Sequence, residues 1–332
     1  MTVRLRAIGE QVIVITGASS GIGRATALMA ASRGATVVAA ARGSEGLETL
    51  VAEIEAAGGR AAACPTDMTD AAAVDRLAAF AVQRYGRIDT WVNDAGVAIA
   101  GKLEDISEED ARSVFEVNFW GMVHGCKAAL PFLKREGGVI VNLGSVTSDV
   151  AAPFMGLYSA TKHAIKGYTD ALRIELMIDR APVAVTLVKP APIATPVLEH
   201  QRNRMDEQAT MPPPFYRPED VATAILSAAE NPERDLHVGG TVRLGSILAQ
   251  AFPNVADAAA ALLGPRLFKT GAPRDDRPDN LDEPTRVTVA THGDTHGHWS
   301  HPSIYTRLTS GHRSLVGRAS RRLLQGLRRT RS

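Results

Sequence analysis

The sequence predicts an α/β fold, a single doubly wound parallel sheet with helices on both faces, and three observations carry that reading. Short β-branched or small apolar runs alternate with longer stretches of helical periodicity from Gln11 to about Val238. Most of the runs end in Gly, Asp, Asn or Ser, the residues of turns rather than of strands. Strands separated by helix-length connections pair in parallel through right-handed crossovers, which stacks the helices on both faces. Ligands of such sheets sit beyond the carboxyl ends of the strands, where these turn residues fall.

In chain order, Gln11 to Thr16 is the first strand, and it stops at Gly17-Ala18-Ser19-Ser20-Gly21-Ile22-Gly23, after which Arg24 to Ser32 has helical composition. A glycine turn between strand and helix lets the backbone approach a ligand. It also points the first helical N–H groups outward, where they and the helix dipole favour a phosphate. The spacing is not G-x-G-x-x-G, because Thr26 stands three residues after Gly23, and a purely structural turn is the competing reading. Ala35 to Ala41 is the second strand, followed by Arg42 and a helix to about Gly58. An acidic residue at this strand's end would bond a ribose 2′-hydroxyl, whereas an arginine accommodates a 2′-phosphate. Ala41 and Arg42 stand there, so the sequence points to NADP(H) rather than NAD(H). Arg60 to Cys64 is the third strand; Asp67 and Met68 follow it, and Asp70 is placed to cap a helix over Ala71 to Tyr85. Arg87 to Val92 is the fourth, closed by Asn93-Asp94-Ala95-Gly96.

A long helical pattern then runs from Ser107 to about Lys134, with Glu108, Glu109 and Asp110 in its first turn as the helix dipole favours. Asn118 lies inside it among Val117, Phe119 and Trp120, and a buried amide must find partners or cost about 2 kcal/mol or more. A satisfied core asparagine and a functional one both meet that demand. Gly138 to Leu143 is the fifth strand and delivers Ser145 at its carboxyl end. Tyr158 and Lys162 project from one face of a helix that continues to about Asp179. A phenol titrates near 10, so proton transfer near neutrality needs a shift of roughly three units, about 4 kcal/mol, and a neighbouring cation acts in that direction. The stretch Ala151 to Leu157 leading into this helix is apolar. Val183 to Val188 is the sixth strand, ending in Lys189-Pro190-Ala191-Pro192-Ile193-Ala194-Thr195. Residues 197 to 216, with their proline cluster, read as a flap over a site; Pro218 opens another helix, and Leu236 to Val238 is the last strand.

Composition places the end of the globular domain between 245 and 265, and the 332 residues are read as a domain at 8–245 and an extension at 246–332, helical at its start and partly irregular beyond. Residues 264–332 hold 13 Lys+Arg against 6 Asp+Glu, and no regular structure is expected over 265–302. Leu315, Ala319, Leu323 and Leu327, ringed by arginines, make a basic amphipathic helix candidate, read as a tail or subunit contact ahead of a membrane-surface contact. His292, His296, His298 and His301 lie in a Gly/Asp/Thr-rich run with no rigid element to fix a geometry, so no metal is expected. The two cysteines, Cys64 and Cys126, form no disulfide framework, and the first ten residues lack an apolar run, so a cytoplasmic protein is expected.

Taken together, residues 8 to 245 resemble the classical short-chain dehydrogenase/reductase family, whose sheet is of the Rossmann type. Thr16-Gly17-x-x-x-Gly21-x-Gly23 matches its cofactor motif. Asn93-Asp94-Ala95-Gly96 is similar to its N-A-G segment, with Asp94 where a second Asn is commoner. Asn118, Ser145, Tyr158 and Lys162 fall where the family has its catalytic tetrad. The resemblance implies that Tyr158 exchanges a proton with the substrate oxygen, that Ser145 bonds that oxygen, and that Lys162 holds the nicotinamide ribose and lowers the Tyr158 pKa. It implies that Asn118 positions a water behind Lys162. Around the cofactor it implies Thr16, Gly17, Ser19, Ser20, Gly21, Ile22, Gly23, Arg42, Asp67, Met68, Asn93, Ala95, Gly96, Tyr158, Lys162, Pro190, Ile193 and Thr195. Ala191 stands where the family's Pro-Gly has its glycine. The expected function is NADP(H)-dependent hydride transfer between nicotinamide and the carbonyl or secondary alcohol of a small lipophilic substrate, in a homo-dimer or homo-tetramer with no nucleic-acid partner. The competing expectations are a catalytically idle NADP-binding module acting through the basic tail, and epimerisation or dehydration of a nucleotide sugar by the same Tyr/Lys pair.

Overall fold

The computed structural model describes residues 5–275, 277–284, 289–295 and 300–310. Strand β1 (Val12–Thr16), helix α1 (Gly21–Ser32), β2 (Thr36–Ala41), α2 (Ser44–Ala56), β3 (Arg60–Pro65) and α3 (Ala71–Tyr85) alternate through the first half. They are followed by β4 (Thr90–Asn93), the short β5 (Ile99–Ala100), α4 (Glu108–Phe115), α5 (Gly121–Glu136), β6 (Gly138–Leu143), α6 (Gly156–Ile178) and β7 (Val183–Pro190). A flap comprises α7 (Val197–His200), β8 (Arg202–Asn203), β9 (Glu207–Ala209) and β10 (Phe215–Tyr216), and α8 (Pro218–Glu230) and β11 (Asp235–Val238) complete the sheet domain. The extension adds α9 (Gly240–Ala251), α10 (Pro253–Leu267), β12 (Lys269–Pro273), β13 (Ser300–His301) and α11 (Ile304–Thr309).

Seven parallel strands lie in the order β11-β7-β6-β4-β1-β2-β3. Every residue of β1 is buried, and its alternation sends Ile13 and Ile15 into one core layer and Val12 and Val14 into the other. This is why the strand reads as an unbroken apolar run: a parallel strand covered on both faces has no polar side to show. On one side Ile13 and Ile15 meet Ala27 and Ala30 of α1 and Ile225 of α8; on the other Val12 and Val14 share a cluster with Leu77 of α3 and Ile165 of α6. The strand order reverses between β1 and β4, and the cleft opens at their carboxyl ends. Asp70 caps α3 through a 2.9 Å bond from the Ala72 N–H, and Ser107 caps α4 through a 3.1 Å bond from the Asp110 N–H.

Three features differ from the sequence-based expectation. The helix expected from Ser107 to Lys134 is broken by a π turn at Glu116–Trp120, centred on Asn118. Its amide is the cause to hand, because both its oxygen and its nitrogen bond the backbone of Val97. The expected boundary at 245 falls inside α9, so the domain and its extension share a helix. Residues 265–302 are not irregular throughout: β12 pairs antiparallel with β9, and β13 pairs parallel with β10. The helix expected over 315–327, His296 and His298 lie outside the described residues. Among the described residues no group of three or more His, Cys, Asp and Glu is placed to hold a metal, and no helix is long and apolar enough to cross a membrane.

Candidate active site

The glycine turn after β1 is built by close approach. A side chain on Gly17, whose φ is 72°, would meet the Ala95 nitrogen at 2.8 Å, and one on Gly23 would meet the Gly17 oxygen at 2.3 Å. Only glycine fits either place. Gly21, at φ 53°, opens α1 and, with Ile22, lines the cleft. Thr16 ties this turn to the next one: its hydroxyl accepts from the Asp94 and Ala95 N–H groups, each at 3.2 Å, and donates to the Val92 carbonyl at 3.3 Å. Thr16 and Gly23 therefore shape the cradle from behind. Asn93 does likewise, since its amide is turned under the sheet to Trp91 Nε1 at 2.8 Å and to Asn142 Oδ1 at 2.9 Å.

Ser145, Tyr158 and Lys162 converge on the floor of the cleft. Ser145 ends the loop after β6, where its hydroxyl accepts from the Thr147 N–H and its own N–H donates to Ser148 Oγ, each at 3.1 Å. Lys162 Nζ lies 5.4 Å from the centre of the Tyr158 ring and donates to the Leu143 carbonyl at 2.9 Å. Burial pushes Tyr158 up to about 12; the Ser145 hydroxyl beside it acts in the opposite direction, and the charge of Asp94 adds to the rise. Burial also holds Lys162 below its ordinary value, with Asp94 opposing it. Asp94, which the sequence marks only as a departure from N-N-A-G, is thus the carboxylate facing this lysine. Burial raises its pKa, against the pull of Lys162 and of the Gly23 N–H. Asn118 stays off the cleft: its Nδ2 donates to the Val97 carbonyl at 3.0 Å and to Thr161 Oγ1 at 3.2 Å. Its side chain holds the loop after β4 and the helix carrying Tyr158 at a fixed spacing.

The cleft has a volume of about 570 Å³, within the usual range for cofactor and ligand sites. Ser19, Ser20, Gly21, Arg42, Met68, Ala95, Gly96, Pro190, Ile193 and Thr195 all line it, and a Cβ on Gly21 would stand 3.2 Å from the Thr195 Cβ. Asp67 is held aside by the N–H and hydroxyl of Thr69, at 2.9 and 2.8 Å. Next to Tyr158 the wall is apolar, with Met155, Phe268, Val197, Ala98 and Ala152 in one cluster. The glycine cradle at a helix N-terminus, set at the strand-order reversal, fits a dinucleotide phosphate. The model for the short chain dehydrogenase family matches residues 11–206, more than half of the chain. The protein is a short-chain dehydrogenase/reductase.

Members of this family are oxidoreductases acting on alcohol and carbonyl groups with a nicotinamide cofactor. This dehydrogenase is 42% identical over 257 residues to the uncharacterized oxidoreductase YxnA of Bacillus subtilis, a match covering 76% of this chain and 72% of that one. A short-chain dehydrogenase/reductase from Burkholderia phymatum in complex with NAD superimposes with a TM-score of 0.67 at 29% identity, covering 74% of this chain and 94% of the other. An alcohol dehydrogenase from the archaeon Thermococcus sibiricus, complexed with 5-hydroxy-NADP, gives a TM-score of 0.60 at 28% identity, covering 69% and 94%.

Asn280, Pro284 and Val289 of the extension also line the cleft of this dehydrogenase. Arg42 turns its guanidinium to them: it donates to the carbonyls of Asn280, Leu281 and Asp282, the last at 3.0 Å. Sequence reasoning missed this. These residues lie some 240 positions from Arg42 and carry no motif, so no local signal could have joined them.

Proposed function

We propose that this dehydrogenase interconverts a lipophilic ketone and its secondary alcohol with NADP(H). The observation that carries the reading is the facing pair of hydroxyls, Ser145 and Tyr158, at the foot of an apolar wall. In reduction, Ser145 and Tyr158 both donate to the substrate oxygen, and the Tyr158 proton passes to it as the alkoxide forms. Bound nicotinamide supplies the hydride to the carbonyl carbon. A phenol pushed up to about 12 is protonated at neutral pH, which is the form that reduction uses. Lys162, anchored on Leu143, keeps a cationic group beside the phenol ring, and Asp94 balances that charge. NADP(H) is supported by Ala41 and Arg42 at the end of β2, where NAD-binding folds carry a carboxylate. Arg42 holds extension carbonyls through the same donors that a 2′-phosphate would use.

The test is a parallel fluorescence titration with NADPH and NADH, followed by turnover of apolar ketones. NADPH is expected to bind at least tenfold more tightly, with the preference erased in Arg42→Ala. Tyr158→Phe should lose about 10²–10⁴-fold in kcat while keeping its cofactor affinity. Equal affinity for both dinucleotides sinks the NADP assignment, and unimpaired turnover in Tyr158→Phe sinks the mechanism.

A further inference from the structure

The extension crosses the mouth of the dinucleotide groove at two points and is fastened at each. At the first, Arg42 grips the backbone of 280–282 from below. From the flap, Arg202 bonds both carboxylate oxygens of Asp279, at 2.8 and 3.0 Å, and reaches Asp282 at 2.6 Å. Between these arginines Leu281 is 2% exposed, packed with Val97, Ile99, Val114 and Val117. At the second crossing the Ala290 carbonyl accepts from the Gly21 N–H at 2.9 Å, at the very start of α1. The Gly293 N–H donates to the Ala194 carbonyl at 3.2 Å, and a side chain on Gly293 would meet the Thr195 oxygen at 2.4 Å. The Asp294 N–H is held by Glu199 at 2.8 Å. The groove beneath keeps a volume of about 570 Å³. Asn280, Pro284 and Val289 of these stretches thus line it without filling it.

We propose that residues 279–284 and 289–294 are the roof of the cofactor site, and that the dinucleotide enters and leaves only when this roof lifts. The proposal rests on the reading of the groove as a nicotinamide-dinucleotide site. Its chemistry is that of a clasp. The donors of Arg42 and Gly21 suit roof carbonyls and dinucleotide phosphates alike, whereas Arg202 and Leu281 hold the roof down independently of those donors. Two salt-bridged anchors and one buried leucine make lifting a discrete event rather than a gradual fraying.

A reversible lock tests this. A Cβ on Gly43 would stand 3.4 Å from the Pro284 Cβ, close to the roughly 3.5–4.5 Å of a disulfide. Gly43 has an ordinary extended backbone, φ −82° and ψ 128°, which cysteine adopts freely. The full-length double variant Gly43→Cys with Pro284→Cys is therefore oxidised before or after loading with NADPH, and fluorescence follows binding by stopped flow. The two single variants control for the native Cys64 and Cys126. Oxidised without cofactor, the double variant is expected to bind NADPH at least 100-fold more slowly than when reduced. Oxidised after loading, it should retain the cofactor through gel filtration. In the opposite sense, Arg202→Gln should raise both the association and the dissociation rate. Equal binding rates in the oxidised and reduced forms overturn the roof while leaving the dinucleotide site standing. A reduced variant and native protein that bind neither NADPH nor NADH overturn both readings together.

Discussion

At the residue scale the least expected group is Asp94. It is carried on the turn after β4, tied by the Thr16 hydroxyl, and it faces Lys162 across the cleft floor. Burial raises its pKa to about 7 from an ordinary 3.8, so the folded chain holds its proton more tightly than the unfolded one. The sign follows. Its contribution favours folding below about pH 4, and is lost as pH rises through 7. Asp94→Asn, which keeps an oxygen for the Gly23 N–H and drops the charge, should therefore raise the Tm at pH 8 and leave it unchanged at pH 4. Removing that charge also relieves Tyr158 of an anion that raises its pKa, so the alkaline limb for alcohol oxidation should move to lower pH. Thermal melts at the two pH values and a pH–rate profile check both. A Tm that falls at pH 8, or a limb that moves upward, contradicts the assignment.

At the scale of elements, the strand, turn and first helix work as one piece because two glycines let backbones touch. Gly23 packs on the Gly17 carbonyl, with Asp94 Oδ2 2.9 Å from the place of a Cβ. Gly23→Ala should cost about 3 kcal/mol in urea unfolding and abolish cofactor binding, because the neighbours that must yield are backbone. An equally stable variant with intact binding contradicts this. The turn was legible from its glycines, and the five inner strands from the unbroken apolar runs that burial on both faces leaves; the edge strands β3 and β11, part-exposed, were legible as shorter runs. The π turn at Glu116–Trp120 was not. Its cause is Asn118 reaching Val97, and a bond between residues 21 apart has no trace in helical periodicity. The same limit hid the roles of Asn93 and Asn118. Asn118 was legible as a polar residue in apolar surroundings and Asn93 as the start of the turn closing its strand, but the direction of their amides, under the sheet and along the π turn, is set by tertiary partners.

At the scale of the whole molecule, charge is arranged so that distant segments are clamped together by few buried carboxylates. Asp110 takes Arg202 and Arg204 from the flap. Asp149, with only 7% of its side chain exposed, takes Lys166 of α6 and Lys189 of β7, the latter at 2.9 Å, with His237 of β11 at 3.9 Å. One carboxylate thus joins the loop after β6, a helix and the two strands at the edge of the sheet. Bonds from His237, Lys166 and Lys189 hold its pKa well below the ordinary carboxylate range, although burial alone would raise it. The direction is opposite to that of Asp94. The stabilisation is fully present above about pH 4, where the unfolded carboxylate is already ionised, and is lost as pH falls through the lowered folded value. Asp149→Asn leaves the buried Lys189 facing a neutral amide, with Asp235 at 3.6 Å as its remaining anion, and should destabilise by about 3–5 kcal/mol at pH 7. Below about pH 4 the unfolded carboxylate takes up a proton that the folded one resists, so the gap between native and variant Tm should narrow steadily from pH 4 to pH 2. Melts at closely spaced pH values measure it. A gap that stays constant down to pH 2 means that Asp149 acts by packing alone, and that the edge of the sheet owes its acid sensitivity to other carboxylates.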